Sequence, residues 1–260
     1  MSSCTIILLL GCVLLVNKIA VRLPRVIAFF GPDGAGKSTQ AELLVNFLKA
    51  RGIKVKRAWV RSVHTFAYLI WRLLYRLNLC RDKSGIPLKG HFRFAVPYLN
   101  ESPYGAVSPI TMSPPILRGT ISRFIWSFIE ILSIIPVVVL QVYVPLLLGR
   151  MVVAERFVVD SIASIAYFLN DESFAESWRA KFLLRLVPRG TIFVFIDVDY
   201  ETIFTRRGEL SGPREYTDFH RAVYCRLARE VMASRVDTSK DSAQEAHQKI
   251  LGYVFKQSYV

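Results

Sequence analysis

VIAFFGPDGAGKSTQ, residues 26–40, encodes a strand, a glycine-rich turn and the start of a helix. Residues 26–30 are a short continuous apolar run that ends at Gly31, which is typical of a buried strand in a parallel sheet. Beyond Lys37, the spacing of leucine and phenylalanine side chains predicts an amphipathic helix that ends at Gly52. The glycine-rich turn therefore connects a buried strand to the first turn of a helix.

The turn places Gly31, Gly36, Lys37 and Ser38 at the spacing G-x-x-x-x-G-K-[ST]. Glycines at these places let backbone N–H groups curl around phosphate oxygens at a helix N-terminus, so the turn predicts a phosphate-binding loop. Lys37 is expected to contact the β and γ phosphates of ATP, and the Ser38 hydroxyl is expected to bind Mg²⁺. The sequence lacks a guanine-reading N-K-x-D segment, which disfavours a GTPase. The predicted nucleotide-binding residues are Gly31, Pro32, Asp33, Gly34, Ala35, Gly36, Lys37, Ser38 and Thr39.

Strands and helices alternate along the rest of the chain. Segments of strand type occur at 54–62, 151–157 and 191–199, and helical patterns occur at 64–80, 161–169, 176–187, 217–233 and 242–255. Such alternation indicates an α/β fold with a mainly parallel sheet covered on both faces. With the phosphate loop after the first strand, the sequence therefore predicts a P-loop NTPase fold of this α/β type.

The domain organisation predicted from the sequence has two parts. Residues 1–22 form an apolar N-terminal segment, whose run at 5–16 is too short to span a bilayer. This segment has two interpretations. It is either a short membrane anchor, or it is a packing segment or non-native extension of a soluble domain. Residues 23–260 are predicted to form one kinase domain. Within it, the density of proline and glycine at 81–120 predicts an irregular insertion.

A long apolar helical segment is predicted at residues 121–149. Glu130 is the only charged residue between Arg123 and Arg150, and Pro136 and Pro145 interrupt the run. The segment is long enough to cross a bilayer, but a core helix would have a similar composition. A buried helix and a membrane segment are therefore both carried forward as interpretations.

Composition limits the class of partner and of chemistry. The chain has 34 basic and 20 acidic residues, a net charge of +14, which favours anionic partners. The hydrophobic fraction of 52% excludes a mainly disordered chain. The four cysteines and four histidines are scattered without metal-ligand spacing, so no structural zinc is expected. No recognition-helix or aromatic-strand signature is present, so nucleic acid is not an expected partner.

Four segments of the sequence resemble the thymidylate kinase family and its thymidylate kinase-like relatives. The first, VIAFFGPDGAGKSTQAELLVNFLKARGIKV at 26–55, is similar to the family's first strand, phosphate loop and first helix. The others are VVAERFVVDS at 152–161, RRGEL at 206–210 and VDTSKDSAQEAHQKI at 236–250. They look like the family's Asp-Arg segment, its arginine-bearing lid, and its last strand with the loop beside the adenine. The resemblance is strong over the first 60 residues and weaker elsewhere, and it implies a P-loop NTPase three-layer fold with a parallel five-stranded sheet.

The resemblance implies roles for particular residues. Asp33 and Arg156 match the family's contacts to the acceptor sugar and acceptor phosphate, and Arg61 sits where relatives have a second phosphate-binding arginine. Glu155 stands at the place of the family's aspartate near Mg²⁺. Because position 34 is glycine, the lid arginines Arg206 and Arg207 become the candidates for stabilising the transferring phosphoryl group.

One part of the family pattern is not matched. The Tyr-Gln pair that reads thymine falls on Ser164 and Ile165. The resemblance implies a nucleoside monophosphate kinase that uses ATP and Mg²⁺, with dTMP as the first candidate acceptor. A thymidylate kinase-like enzyme with a glycan or lipid-linked acceptor near a membrane, and a non-catalytic membrane-associated nucleotide-binding module, are the alternatives. A cytoplasmic protein is expected, with membrane association and a homodimer carried as further hypotheses.

Overall fold

The computed structural model describes residues 26–60, 66–76, 81–82, 112–113, 120–211 and 213–256. The strands in this part of the chain are β1 (Val26–Phe30), β2 (Val55–Ala58), β3 (Arg81–Asp82), β4 (Met112–Ser113), β5 (Met151–Glu155), β6 (Ile192–Asp197) and β7 (Ser234–Asp237). The α-helices are α1 (Lys37–Ala50), α2 (Phe66–Arg76), α3 (Thr120–Val138), α4 (Val144–Leu147), α5 (Val158–Leu169), α6 (Trp178–Arg185), α7 (Tyr200–Arg207), α8 (Arg214–Glu230) and α9 (Ala243–Lys256). Short 3-10 turns cover Glu172–Glu176 and Gly208–Ser211.

Five of these strands form one parallel sheet with the order β2-β5-β1-β6-β7. Strand β1 lies at the centre, between β5 and β6, so the phosphate loop that follows it leaves the middle of the carboxyl edge. Helices surround the sheet, which confirms the predicted fold class. Because parallel strands are covered on both faces, β1 and β6 are buried along their whole length, in agreement with their continuous apolar runs.

The core consists of two apolar layers, one on each face of the sheet. Side chains alternate along β1, so Val26, Ala28 and Phe30 face one layer while Ile27 and Phe29 face the other. The first layer also contains buried side chains of α3, α5 and α8. The second is formed with α1 and α9. The helix that follows the phosphate loop is therefore fixed by apolar packing on the second layer.

A nearly continuous helical run extends from Thr120 to Leu147 and corresponds to the long apolar segment seen in the sequence. The run continues through Pro136, and a π-helical turn at Val139–Tyr143 follows it before α4 begins. A proline removes one backbone donor, and a π turn changes the hydrogen-bond pattern without ending the helix. The prolines therefore modify this helix but do not break it.

One side of this run is buried and the other is exposed. Ile134, Val138 and Val142 belong to the first core layer, whereas Leu140 and Leu147 are more than half exposed. The part from Arg123 to Leu147 is long and apolar enough to cross a membrane, and half of its most apolar stretch is buried in the fold. Such partial burial also occurs in core helices of water-soluble proteins.

Several predicted segments lie outside the described residues. The apolar N-terminal segment at 1–22 lies outside them, and so does most of the predicted insertion at 81–120. Within that insertion the structure describes β3 and β4, which form an antiparallel pair.

Candidate active site

The phosphate loop occupies residues 31–36, between the carboxyl end of β1 and the N-terminus of α1. Its backbone needs glycine at particular places. Gly31 has a φ of 143°, and a Cβ there would lie 2.0 Å from the carbonyl oxygen of Ile196. Gly34 has a φ of 92° and lies against the side chain of Arg207. The loop thus delivers backbone N–H groups and the positive end of a helix dipole to one place.

Lys37 folds back over this loop. Its Nζ donates hydrogen bonds to the carbonyl oxygens of Gly31, at 2.6 Å, and of Pro32, at 2.7 Å. It also lies 3.6 Å from Oδ1 of Asp33, and the side chain is only 5% exposed. The ammonium group is therefore held in place above the loop, where a phosphate chain would pass.

A polar group of three residues lies beside the first turn of α1. The Ser38 hydroxyl donates to one carboxylate oxygen of Glu155, and Arg57 donates to the other. Glu155 ends β5 and pairs in register with Phe29 of β1, which brings its carboxylate to the phosphate loop.

A hydroxyl and a carboxylate are hard oxygen donors, which fit Mg²⁺, with phosphate oxygens and water completing its coordination. No cluster of three or more histidine, cysteine, aspartate or glutamate side chains that could hold a metal occurs in the described part of the chain. The predicted pair Ser38 and Glu155 is therefore brought together, in a manner that suits a metal held jointly with a nucleotide.

Arg156 and Asp33 meet beside Lys37, which approaches the same Asp33 oxygen. Arg156 has a left-handed φ of 66°, and its guanidinium donates to the Asp33 carboxylate. Burial alone would lower the pKa of Arg156, but the charges of Asp33 and Asp160 outweigh burial and raise that pKa. Arg156 is thus a permanently charged group pointing at the phosphate loop.

Asp160 supports this arrangement from the first turn of α5. It is 1% exposed, and its carboxylate accepts hydrogen bonds from the backbone N–H of Phe157, at 3.0 Å, and from the Tyr224 hydroxyl, at 3.1 Å. Burial raises the pKa of Asp160, although Lys37 and Arg156 act in the opposite direction. Burial also raises the pKa of Tyr224 well above its usual value, so the phenol keeps its proton.

A small hollow opens next to Arg156. Its walls are formed by the residues Pro32, Asp33, Arg156, Ser164, Tyr216, Thr217, His220 and Tyr224. Tyr216, His220 and Tyr224 lie four residues apart on one face of α8, and the rings of Tyr216 and His220 are 4.1 Å apart. His220 is held by a contact within the same helix, since its Nδ1 lies 2.9 Å from the Tyr216 carbonyl oxygen.

The wall supplied by α8 was missed from the sequence. The spacing of Tyr216, His220 and Tyr224 was available as a signal, because side chains at i, i+4 and i+8 share a helix face. Ser164 does line the hollow, and its hydroxyl donates to the Asp160 carbonyl oxygen at 2.9 Å. Ile165 is 1% exposed and faces the core.

The two lid arginines are placed differently. Arg206 donates to the carbonyl oxygens of Thr238, at 2.5 Å, and of Gly34, at 3.4 Å. It therefore joins the end of α7 to the phosphate loop and to the loop after β7. The aliphatic part of Arg207 lies over Gly34. Arg61 lies outside the described residues, which end at position 60 in this part of the chain.

A buried carboxylate fixes the loop after β7. Asp197, at the end of β6, is fully buried and accepts two hydrogen bonds from Arg221, at 2.8 and 3.1 Å, and one from Arg235. Its carbonyl oxygen accepts from the Thr238 backbone N–H at 2.9 Å. The Asp197 carboxylate thus links β6 to α8 and to β7.

Comparisons with known proteins gave matches among solved structures only. No family model matches the chain, and no curated protein matches it. Solved structures do. Thymidylate kinase from Candida albicans superposes with a TM-score of 0.56 at 14% identity, covering 91% of this chain and 93% of that one. Thymidylate kinase from Ehrlichia chaffeensis gives 0.49 at 16% identity, covering 89% and 98%. At these identities the first likeness shows a shared fold.

Proposed function

We propose that this protein is a nucleoside monophosphate kinase of the thymidylate kinase type, which transfers the γ-phosphoryl group of ATP to dTMP. The observation that carries the proposal is the pairing of Arg156 with Asp33 beside the Lys37 loop. Lys37 and Arg156 both approach Oδ1 of Asp33, so a donor phosphate site and a cationic acceptor site would lie next to each other. The fold shared with solved thymidylate kinases supports the same conclusion.

On the donor side, the backbone of the phosphate loop and the N-terminus of α1 would hold the phosphate chain of ATP. Lys37 would leave the carbonyl oxygens of Gly31 and Pro32 to bind the β and γ phosphates. Ser38 and Glu155 would hold Mg²⁺, which would supply positive charge to offset the negative charge of the phosphates. Thr39 is exposed at the same helix terminus.

On the acceptor side, Arg156 would bind the phosphate of the monophosphate, together with Arg61. Asp33 would contact the acceptor sugar. The charge of the buried Asp160 favours the charged form of Arg156. The Arg156 guanidinium would present a planar set of donors to phosphate oxygens. An acceptor phosphate oxygen is already anionic, so the transfer needs orientation and charge stabilisation rather than a general base.

Arg206 and Arg207 are proposed to stabilise the transferring phosphoryl group. Both belong to α7, which ends next to Gly34. Arg206 would exchange its contacts with carbonyl oxygens for contacts with phosphate oxygens, which carry more negative charge.

The experiment is a measurement of ADP release from ATP and Mg²⁺ without acceptor, with dTMP, and with dUMP, dCMP, dGMP, dAMP and the ribonucleotides. Acceptor-dependent release that is fastest with dTMP is expected. Binding of ATP without any acceptor-dependent release across the panel would refute a nucleoside monophosphate kinase. Faster release with another monophosphate would refute dTMP while keeping the reaction class.

A second candidate is a membrane-proximal kinase with a glycan or lipid-linked acceptor. The exposed apolar face of the helical run favours it; its members are Ile121, Phe124, Ile125, Leu132, Leu140, Val144, Leu147 and Leu148. Large exposed apolar patches mark interaction surfaces. A membrane would cover this face, and the absence of the thymine-reading pair at Ser164 and Ile165 agrees with another acceptor.

This candidate is tested by sedimentation of the full chain with anionic lipid vesicles. The double variant Leu140→Ser/Leu147→Ser should lose vesicle binding, whereas Met232→Ser, at an 85% exposed position after α8, should keep it. Equal pelleting of all three proteins would refute membrane contact through this face. A dimer seen without vesicles, and lost in the double variant, would assign the face to a second copy of the chain.

A further inference from the structure

Arg57 contacts the Glu155 carboxylate next to Ser38. Its guanidinium donates to Oε2 of Glu155, while Oε1 accepts from Ser38, so both carboxylate oxygens are engaged. Arg57 also approaches the Ser38 carbonyl oxygen, at 3.5 Å. The carboxylate expected to face Mg²⁺ therefore already has a cation beside it.

The sheet register explains why this arginine reaches that carboxylate. Arg57 of β2 pairs with Val153 of β5, and Glu155 lies two residues further along β5. Residues two apart on a strand share a face, so Arg57 and Glu155 point to the same side of the sheet, where α1 packs. Lys56 pairs with Val152, whose side chain belongs to the opposite core layer.

The two partners differ in their freedom to move. The Arg57 side chain is 40% exposed, whereas that of Glu155 is 13% exposed. Exposed ion pairs are weak, and an arginine can rotate its head into water while its stem stays in place. When a divalent cation approaches, the arginine can leave while the carboxylate remains.

We propose that Arg57 is a built-in counter-ion of Glu155, which a divalent cation must displace in order to bind with ATP. This inference rests on the proposed function. Without a metal, Arg57 neutralises a carboxylate that would otherwise repel the triphosphate beside it. With a metal, Arg57 competes for the same carboxylate and lowers the affinity for the ion. Arg57 is thus a positioning residue with opposite effects on metal-free nucleotide and on metal.

Arg57→Gln tests the proposal, and Lys56→Gln is the matched control. Both substitutions remove one positive charge from β2, but Lys56 faces the other side of the sheet. Electron paramagnetic resonance measures Mn²⁺ binding to the complex with a non-hydrolysable ATP analogue. Fluorescence titration in EDTA measures metal-free binding of the same analogue. Thermal melting verifies that both variants are folded.

The proposal predicts opposite changes in the affinity for Mn²⁺ and in the affinity for the metal-free analogue. Arg57→Gln should bind Mn²⁺ at least about threefold more tightly than wild type and the metal-free analogue at least about threefold more weakly, while Lys56→Gln changes both by less. Any other combination in Arg57→Gln, or equal changes in Lys56→Gln, would overturn the proposal. If wild-type protein bound no analogue with or without Mn²⁺, the proposed function itself would fail, which is a different outcome.

Discussion

Replacing Lys37 by alanine separates the role of this side chain in the fold from its role in phosphate binding. In the structure its ammonium group donates to two loop carbonyl oxygens and is almost fully shielded from water. The substitution removes one positive charge, two hydrogen bonds to loop carbonyl oxygens and the ion pair with Asp33. Stability and catalysis should therefore respond by very different amounts.

The stability change follows from the two lost hydrogen bonds. A hydrogen bond from a charged donor contributes about 1.5–3 kcal/mol, but water can reach both carbonyl oxygens once the side chain is gone. A net loss of about 2 kcal/mol is expected. For a chain of this size, that loss lowers the Tm by about 4–8 °C and leaves the protein folded at 25 °C.

The catalytic change is larger because the ammonium group would stabilise charge on the transferring phosphoryl group. Removing one such preorganised donor costs about 3–4 kcal/mol, so kcat should fall by about 10²–10³. ADP release with dTMP and, separately, thermal melting measure the two effects. Lys49→Ala is the control, since Lys49 is an exposed lysine in the last turn of the same helix. A kcat within about tenfold of wild type would refute the assignment of Lys37.

Three further predictions concern the acceptor site, acid stability and the buried carboxylate. Arg156→Gln should raise the acceptor KM and lower kcat with little change in ATP affinity; a defect confined to ATP would place Arg156 on the donor side. Burial lowers the pKa of His247, so its neutral form is favoured in the folded protein. Below about pH 6.5 the unfolded chain therefore binds more protons than the folded protein, and acid destabilises the fold. The urea midpoint should fall between pH 7.5 and pH 5.5 by more in wild type than in His247→Gln. Equal falls in the two proteins would contradict this prediction. Arg221→Ala should lower the free energy of unfolding in urea by about 2–4 kcal/mol. Arg235→Ala should lower it less, because Arg221 makes two hydrogen bonds to Asp197 and is the less exposed arginine. A larger loss in Arg235→Ala than in Arg221→Ala would contradict the geometry.

The sequence was sufficient for the local parts of the fold. In β1 and β6 the apolar side chains are continuous, and this pattern distinguishes a strand buried on both faces from one that faces water. Gly31 and Gly36 mark a turn whose backbone angles other residues rarely adopt. Such features depend on neighbours in the chain, and they could therefore be predicted from the order of residues.

The order of the strands depends on contacts between distant segments. Nothing local in β5 indicates that it inserts between β1 and β2, and the position of β7 at the sheet edge is likewise set by packing. The π turn after Pro136 is another example, because the helix continues where the proline alone would favour an end. Tertiary packing of the buried side of α3 outweighs the local cost there.

The same division holds in the candidate site. Lys37 and Ser38 were located by a motif, because a phosphate loop is formed by one contiguous segment. The contacts of Glu155 could not be predicted in this way, because its two partners come from α1 and β2 and are brought together only by the sheet register. A glutamate at this place is one methylene longer than aspartate, and that length lets a single carboxylate reach both the Ser38 hydroxyl and the Arg57 guanidinium. Glu155→Asp should therefore weaken the contact to Arg57 and change Mn²⁺ affinity in the same direction as Arg57→Gln; an opposite change would mean that Glu155 holds the ion by its reach alone.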